Sequence, residues 1–183
     1  MSEPESPDTP ATASTRPDTT NLDAKQDAEF AVFYRELIKP LVAFLILQGA
    51  ALADAADLAQ DTMIKAYEKW RIIDHPRAWT YRVASRALIR RMVEKRDVPS
   101  EQLPEPNLLL RGTDIEHWEQ LQDLVRALVT LPHRQRQIMA WTLTGYTPTE
   151  IAHELRMKAG TVRQNLSLAR SALIQLMREG GDQ

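Results

Sequence analysis

Arg82, Arg86 and Arg90 recur every four positions, with Arg77 ahead of them and Arg91 and Lys95 beside them. On a helix this spacing puts three guanidinium groups on one face, where like charges repel by ~0.2–0.5 kcal/mol per pair. An anionic partner such as DNA phosphate relieves that repulsion. A solvated face partly paired with Glu94 and Asp97 is the alternative, and spacing alone does not choose between them. Trp70, Trp79 and Tyr81 interleave the stretch; their rings suit stacking on unpaired bases, or the core of a small helical domain.

A second set has the opposite sign. Asp57 and Asp61 stand one helical turn apart, with Gln60 adjacent and Asp54 preceding. Such a face can dock a basic partner helix, or it can be solvated and favour the helix N-terminus. A third set is polar: Thr161, Arg163, Gln164, Ser167 and Arg170 share the side of a helix opposite Val162, Leu166, Ala169 and Leu173. Arginine and amide side chains match base edges in the major groove, and hydroxyls match phosphates. An ordinary helical hairpin with a polar outer face has the same pattern.

Bond-making chemistry finds no support. The chain has no cysteine, which excludes disulfides, thiolate metal sites and a cysteine nucleophile, and its four histidines show no paired spacing suited to a metal. No nucleophile–base pair or glycine-rich phosphate loop is evident. A helical enzyme is therefore disfavoured, and no cofactor or metal is expected. The net charge of −2 conceals an asymmetry, since residues 1–28 carry six acidic and two basic side chains and residues 77–96 carry seven basic and one acidic. The longest apolar run, Leu41–Leu47, is far short of the ~20 residues that span a bilayer. The N-terminus lacks the features of a signal peptide. The expectation is a cytoplasmic protein without a membrane partner.

The elements that must hold these groups are all helical; no stretch alternates as a strand does. Residues 1–27, with four of the eleven prolines, read as a disordered acidic Pro/Thr-rich tail. Residues 28–97 and 114–178 are two helical blocks, joined by a Pro-containing flexible linker at 98–113 and followed by a short tail, 179–183. The odd Leu108-Leu109-Leu110 of the linker suggests contact with an apolar groove. In the first block, Phe30 to Leu45 is amphipathic, with Pro40 expected to kink or divide the helix and Gly49 to end it. A second helix from about Leu52 to Trp70 buries Ala55, Leu58, Ala59, Thr62, Met63, Ala66 and Trp70. A third, from Pro76 to about Lys95, buries Ala78, Tyr81, Ser85, Leu88 and Met92. In the second block, Trp118 to Leu131 and His133 to Thr144 precede Thr147-Pro148-Thr149-Glu150, a strong helix start. The short helix it opens, a turn, and a longer helix from Gly160 or Thr161 to about Met177 outline a helix-turn-helix.

Asp54-Ala-Ala-Asp-Leu-Ala-Gln-Asp-Thr-Met63, Ala66-Tyr-Glu-Lys-Trp70 and Pro76-Arg-Ala-Trp-Thr-Tyr-Arg-Val-Ala84 resemble region two of extracytoplasmic-function RNA polymerase sigma factors of the sigma-70 family. Leu131-Pro-His-Arg-Gln-Arg136, Thr149-Glu-Ile-Ala152 and Gly160-Thr-Val162 resemble region four. The resemblance implies an all-α protein of two small domains, which lends promoter recognition to core RNA polymerase. It implies that Asp57, Gln60 and Asp61 grip the clamp helices of the polymerase's largest subunit. It implies that the loop Arg71–Pro76, with Ile73, Asp74 and His75, captures a base flipped from the melted non-template strand, and that Arg77, Arg82, Arg86 and Arg90 serve the minus-ten element. Lys158, Thr161, Arg163, Gln164, Ser167 and Arg170 are assigned to duplex DNA at the minus-thirty-five element. An anti-sigma factor is a further partner it implies.

The chain departs from that pattern in places. Ser85-Arg86 stands where relatives often have Arg-Asn, and Arg90 where they have a polar or acidic residue. Asn165 and Leu168 replace frequent basic residues. Arg156 occupies a turn position where glycine is common, at a cost of ~1 kcal/mol if the backbone there is left-handed. The main competing reading is a polymerase-independent DNA-binding regulator built on the helix-turn-helix; it leaves the Asp57/Gln60/Asp61 face and the basic helix without a common purpose.

Overall fold

The computed structural model describes residues 19–95 and 115–181, and every regular element among them is helical. The expected linker 98–113 and residues 1–18 of the expected tail lie outside the described residues. Seven α-helices follow in order: α1 (Thr19–Leu47), α2 (Leu52–Glu68), α3 (Pro76–Lys95), α4 (Ile115–Val129), α5 (His133–Leu143), α6 (Pro148–Leu155) and α7 (Ala159–Gly181), with a 3-10 turn at Trp70–Ile72 between α2 and α3.

α1 differs from expectation at both ends of its composition. Pro40 lies inside it without dividing it; the missing N–H costs one hydrogen bond, and Leu37, Leu41, Phe44 and Leu45, all essentially buried, hold the helix on either side. Residues 19–27, expected within the tail, are helical instead. Composition could not reveal this, because Asp23, Gln26 and Asp27 take their partners from Tyr67 and Arg71, about forty residues away in sequence. At its other end α1 closes on Gly49, φ +98°, with Gly49 N–H donating to Ile46 at 2.8 Å and Ala50 N–H to Leu45 at 3.1 Å. This paired capping needs a left-handed residue, the conformation glycine adopts without a Cβ clash.

α2 buries Ala55, Leu58, Ala59, Thr62, Met63 and Ala66 as its periodicity predicts, with Leu52 added; Trp70 is only half-buried. α3 buries Tyr81, Ser85 and Leu88, while Ala78 and Met92 are half-buried. α6 opens with a reciprocal capping box. Thr147 N–H donates to Glu150 at 2.8 Å, and Glu150 N–H donates back to the Thr147 hydroxyl at 3.4 Å. The Thr147 hydroxyl, donating to Glu150 Oε2 at 2.7 Å, and the Thr147 N–H together hold the Glu150 carboxyl below the usual carboxylate range. α6 ends at Arg156, which is left-handed at φ 54°, ψ 49°, so the cost attached to that position is incurred.

The two blocks do not stand apart. α1 touches α4 and α5, and α3 touches α6, so one contiguous core runs through both. At the seam Phe44 meets Tyr81 at 4.6 Å and Trp141 at 5.5 Å, both edge-on, and Tyr146 meets Trp141 at 4.9 Å. Burial pushes the Tyr81 hydroxyl up and that of Tyr146 up to about 12.

Candidate polymerase and nucleic-acid interfaces

On α2, Asp57, Gln60 and Asp61 are all exposed, as a turn-spaced set on an amphipathic helix must be when Leu58, Ala59 and Thr62 face inward. Two of the three are oriented by neighbours. Gln60 Nε2 donates to the Tyr34 hydroxyl of α1 at 2.9 Å. Asp57 Oδ2 lies 4.0 Å from Arg91 Nη2, whose other arm reaches Asp54 Oδ1 at 3.3 Å. Arg91, read as a companion of the basic face, therefore turns inward and braces α2 instead. Ile64, 58% exposed, continues the stripe one turn beyond Asp61.

The α3 arginines divide. Arg86 and Arg90 are exposed on one side of the helix, and Arg77 is exposed at its start, stacked over the Tyr81 ring at 5.7 Å. Arg82, on the same stripe, is partly covered: Nη1 donates to Glu154 Oε2 of α6 at 3.0 Å. Ser85, one residue from the stripe, is buried in a chain of hydrogen bonds. Its Oγ donates to Gln48 Oε1 at 2.7 Å, Gln137 Nε2 donates to Ser85 Oγ at 3.0 Å, and Arg134 Nη1 donates to Gln137 Oε1 at 2.7 Å. The chain links α1, α3 and α5, so every polar atom it takes from water is offered a partner.

Between α2 and α3, Ile72, Asp74 and His75 are exposed and Ile73 is half-buried. An open cleft of about 640 Å³ separates Asp74–Ala78 from Tyr146 and from Thr149, Glu150, His153 and Glu154 on α6. It holds acids, histidines and one arginine together, a mixture with no single ligand chemistry. Among the described residues no group of three His, Asp or Glu side chains is placed to hold a metal.

α6 and α7 form the expected helix-turn-helix. Ile151 and Ala152 are buried against Val162, Leu166 and Ala169, while Leu155 and Leu173 are half-buried. Lys158, Thr161, Arg163, Gln164, Ser167 and Arg170, the whole of the expected polar set, are exposed. Asn165 does not join it; its Nδ2 donates to the Thr161 carbonyl at 2.8 Å. Leu168 is 51% exposed and interrupts the polar surface with an apolar side chain.

Sequence reasoning missed the residues that join the blocks. Glu154, Gln48 and Gln137 drew no attention because each completes its role only through contacts 37 to 72 residues away. Arg136 is another: its Nη2 donates to the carbonyls of Val129 and Leu131 at 3.0 and 3.1 Å, and a Cβ on Gly49 would lie 2.3 Å from its Nη1. The only advance signal was Ser85 itself, a small residue where relatives often carry arginine.

Comparison with known proteins bears on the same residues. The family model for Sigma-70 region 2 matches residues 33–97, and that for Sigma-70 region 4 matches residues 121–173. The ECF RNA polymerase sigma factor RpoE of Cereibacter sphaeroides is 29% identical over 168 residues, covering 85% of this chain and 90% of the relative. The sigma factor RpoE of Bartonella quintana, solved in complex with the anti-sigma factor NepR, shares the fold with a TM-score of 0.67 at 24% identity, covering 82% of this chain and 97% of that one. CnrH, solved with the cytosolic domain of CnrY, does so with a TM-score of 0.62 at 19% identity, over 87% and 96%. With matches to both regions in the expected order on the two halves of one helical core, the chain belongs to the sigma-70 family, as an extracytoplasmic-function sigma factor.

Proposed function

We propose that this protein is an alternative sigma factor that binds core RNA polymerase, recognises the minus-ten and minus-thirty-five elements of its promoters and promotes strand opening, catalysing no reaction of its own. Residues 28–97 are its polymerase-binding and minus-ten unit, 98–113 its linker and 114–178 its minus-thirty-five unit. Asp57, Gln60 and Asp61 take the clamp helices. Ile73, Asp74 and His75, with Arg77, Arg82, Arg86 and Arg90, meet the melted non-template strand. Lys158, Thr161, Arg163, Gln164, Ser167 and Arg170 enter the duplex major groove. It acts in the cytoplasm, and an anti-sigma factor is its natural restraint, as NepR partners the Bartonella quintana relative.

The observation that carries this reading is the exposure of an acidic, amide-bearing face on α2 and a basic stripe on α3 within one three-helix unit, with exposed polar residues from Lys158 along α7. A regulator that worked without polymerase has no use for the first of these. The geometry also supports a closed resting form. The two promoter elements are centred roughly 25 base pairs apart, about 85 Å along B-DNA at ~3.4 Å per step, yet Arg82 of α3 and Glu154 of α6 are hydrogen-bonded. Both elements can be read only after the blocks separate.

The test is reconstitution. Purified protein with core enzyme is expected to open promoters in a genome-wide run-off survey, and Asp57→Ala/Asp61→Ala to lose core binding. Failure of the wild-type protein both to co-purify with core and to open any promoter, with tight duplex binding by the free protein, would assign it to the polymerase-independent regulators.

A further inference from the structure

The loop after Trp70 is held from the far end of α1. Trp70 packs edge-on against Phe30 at 5.2 Å and beside Phe33 at 4.8 Å, and Tyr67 meets Phe30 edge-on at 5.0 Å. One turn earlier on α1 the contacts become polar. Arg71 donates from Nε to Gln26 and from Nη2 to Asp23, and Tyr67 donates to Asp27 Oδ1 at 2.5 Å. Positions 23, 26, 27, 30 and 33 follow helical spacing, so a single face of α1 runs from the acidic turn to the aromatic cluster and grips both residues that flank the start of the loop. The Asp27 carboxylate raises the Tyr67 pKa, consistent with a hydroxyl held as donor.

Immediately beyond this grip stands Ile72, 77% exposed. It lies in the 3-10 turn Trp70–Ile72, between the anchored Trp70 and Arg71 and the half-buried Ile73. A large aliphatic side chain presented to water on a pinned turn contributes nothing to the core. Aliphatic side chains of this kind are the ones that proteins insert at unstacked base steps. Exposed ion pairs add little to stability, so the use of a two-armed guanidinium contact here is directional: the planar fork fixes orientation. A turn ordered before binding does not lose that freedom on binding.

We propose that Asp23, Gln26 and Asp27 are positioning residues for promoter opening, and that they fix the turn so that Ile72 packs on an unstacked base at the edge of the melted minus-ten element. This rests on the sigma-factor reading and deepens it: it gives the N-terminal turns of α1 a positioning role, and within the loop Arg71–Pro76 it singles out Ile72 beside the expected Ile73, Asp74 and His75.

The experiment uses full-length protein, core enzyme and a promoter found in the run-off survey, carrying 2-aminopurine in the minus-ten element. Compared are wild type, Asp23→Ala/Gln26→Ala/Asp27→Ala, Ile72→Ser, Asp23→Arg alone, and the exchange Asp23→Arg with Arg71→Asp. Core affinity is measured alongside, as the control for folding. Strand opening on duplex promoter is expected to fall about tenfold in the triple variant and in Ile72→Ser, and to recover on a promoter that is already a bubble. Discrimination among the four bases at the melted edge should flatten in both. The exchange should restore a part of the opening that Asp23→Arg alone removes. Opening and base discrimination equal to wild type in the triple variant would overturn the proposal. So would tighter DNA binding by that variant, which would make the acidic turn a mask over Arg71. Wild-type protein that opens no promoter sinks the sigma-factor reading itself, a distinct result.

Discussion

Arg82 Nη1 donates to Glu154 Oε2 at 3.0 Å, tying a residue of the basic α3 stripe to the first helix of the helix-turn-helix. Glu154 is almost fully covered and Arg82 is 30% exposed, so the pair is neither a loose surface contact nor a desolvated one. Removing Glu154 leaves Arg82 able to rehydrate. Glu154→Ala is therefore expected to weaken the closed form by about 1 kcal/mol, roughly a fivefold shift toward the open form. Energy transfer between dyes on the two blocks measures it, and affinity for duplex promoter should rise in step. An unchanged distance distribution would show that the pair does not restrain the blocks.

Ser85 offers a stronger intervention. It is 1% exposed and bonded on both sides, to Gln48 and Gln137. Ser85→Arg restores the residue that relatives often carry, and no arginine can occupy that space without parting α3 from α5. The seam is expected to lose more than about 2 kcal/mol, seen as earlier separation of the blocks in urea, while the protein keeps its affinity for core polymerase. Retention of the compact form would mean that the seam is more deformable than its buried chain implies.

Two glycines with nearly the same backbone should respond differently to alanine. Gly145, φ +93°, has nothing within 4 Å of an added Cβ, whereas Gly49, φ +98°, would bring one to 2.3 Å from Arg136 Nη1. Gly145→Ala is expected to cost about 1 kcal/mol for the left-handed backbone. Gly49→Ala adds the displacement of a guanidinium that caps the carbonyls of Val129 and Leu131, for a total of about 2–3 kcal/mol. Equilibrium denaturation of both variants checks the difference.

The seam also has a pH limit. Burial raises the Tyr146 pKa to about 12, above the ordinary value of about 10. Because the folded value is the higher one, the neutral hydroxyl is the form that the seam holds. Its contribution is whole below about pH 10 and is lost as the pH rises toward 12; Tyr81 is displaced in the same direction. Tyrosinate absorbance and Trp141 fluorescence should change together in that window, and Tyr81→Phe/Tyr146→Phe should remove the coupled step.

Helix positions and the inner faces of α2, α3 and the helix-turn-helix were legible in the sequence, because each rests on residues three or four apart. The exposed polar positions of α7 were legible for the same reason. The sorting of the arginines was not: Arg82 and Arg91 belong by spacing to one charged helix, but their partners, Glu154 and Asp54, come from α6 and α2. Residues 19–27 failed in the opposite sense. Their composition is that of an unfolded segment, and the helix there is held by the contacts of Asp23, Gln26 and Asp27 with Arg71 and Tyr67. Periodicity reports which side of a helix is covered and is silent about what covers it.

The aromatic seam has a consequence for synthesis of the chain. Phe44 and Tyr81 emerge from the ribosome before their partners Trp141 and Tyr146, about sixty residues later than Tyr81, which at ~5–20 residues per second leaves several seconds. During that interval the nascent first block carries its acidic α2 face complete and its aromatic side uncovered. The order of translation thus produces the half that carries the acidic α2 face before the half that packs against it.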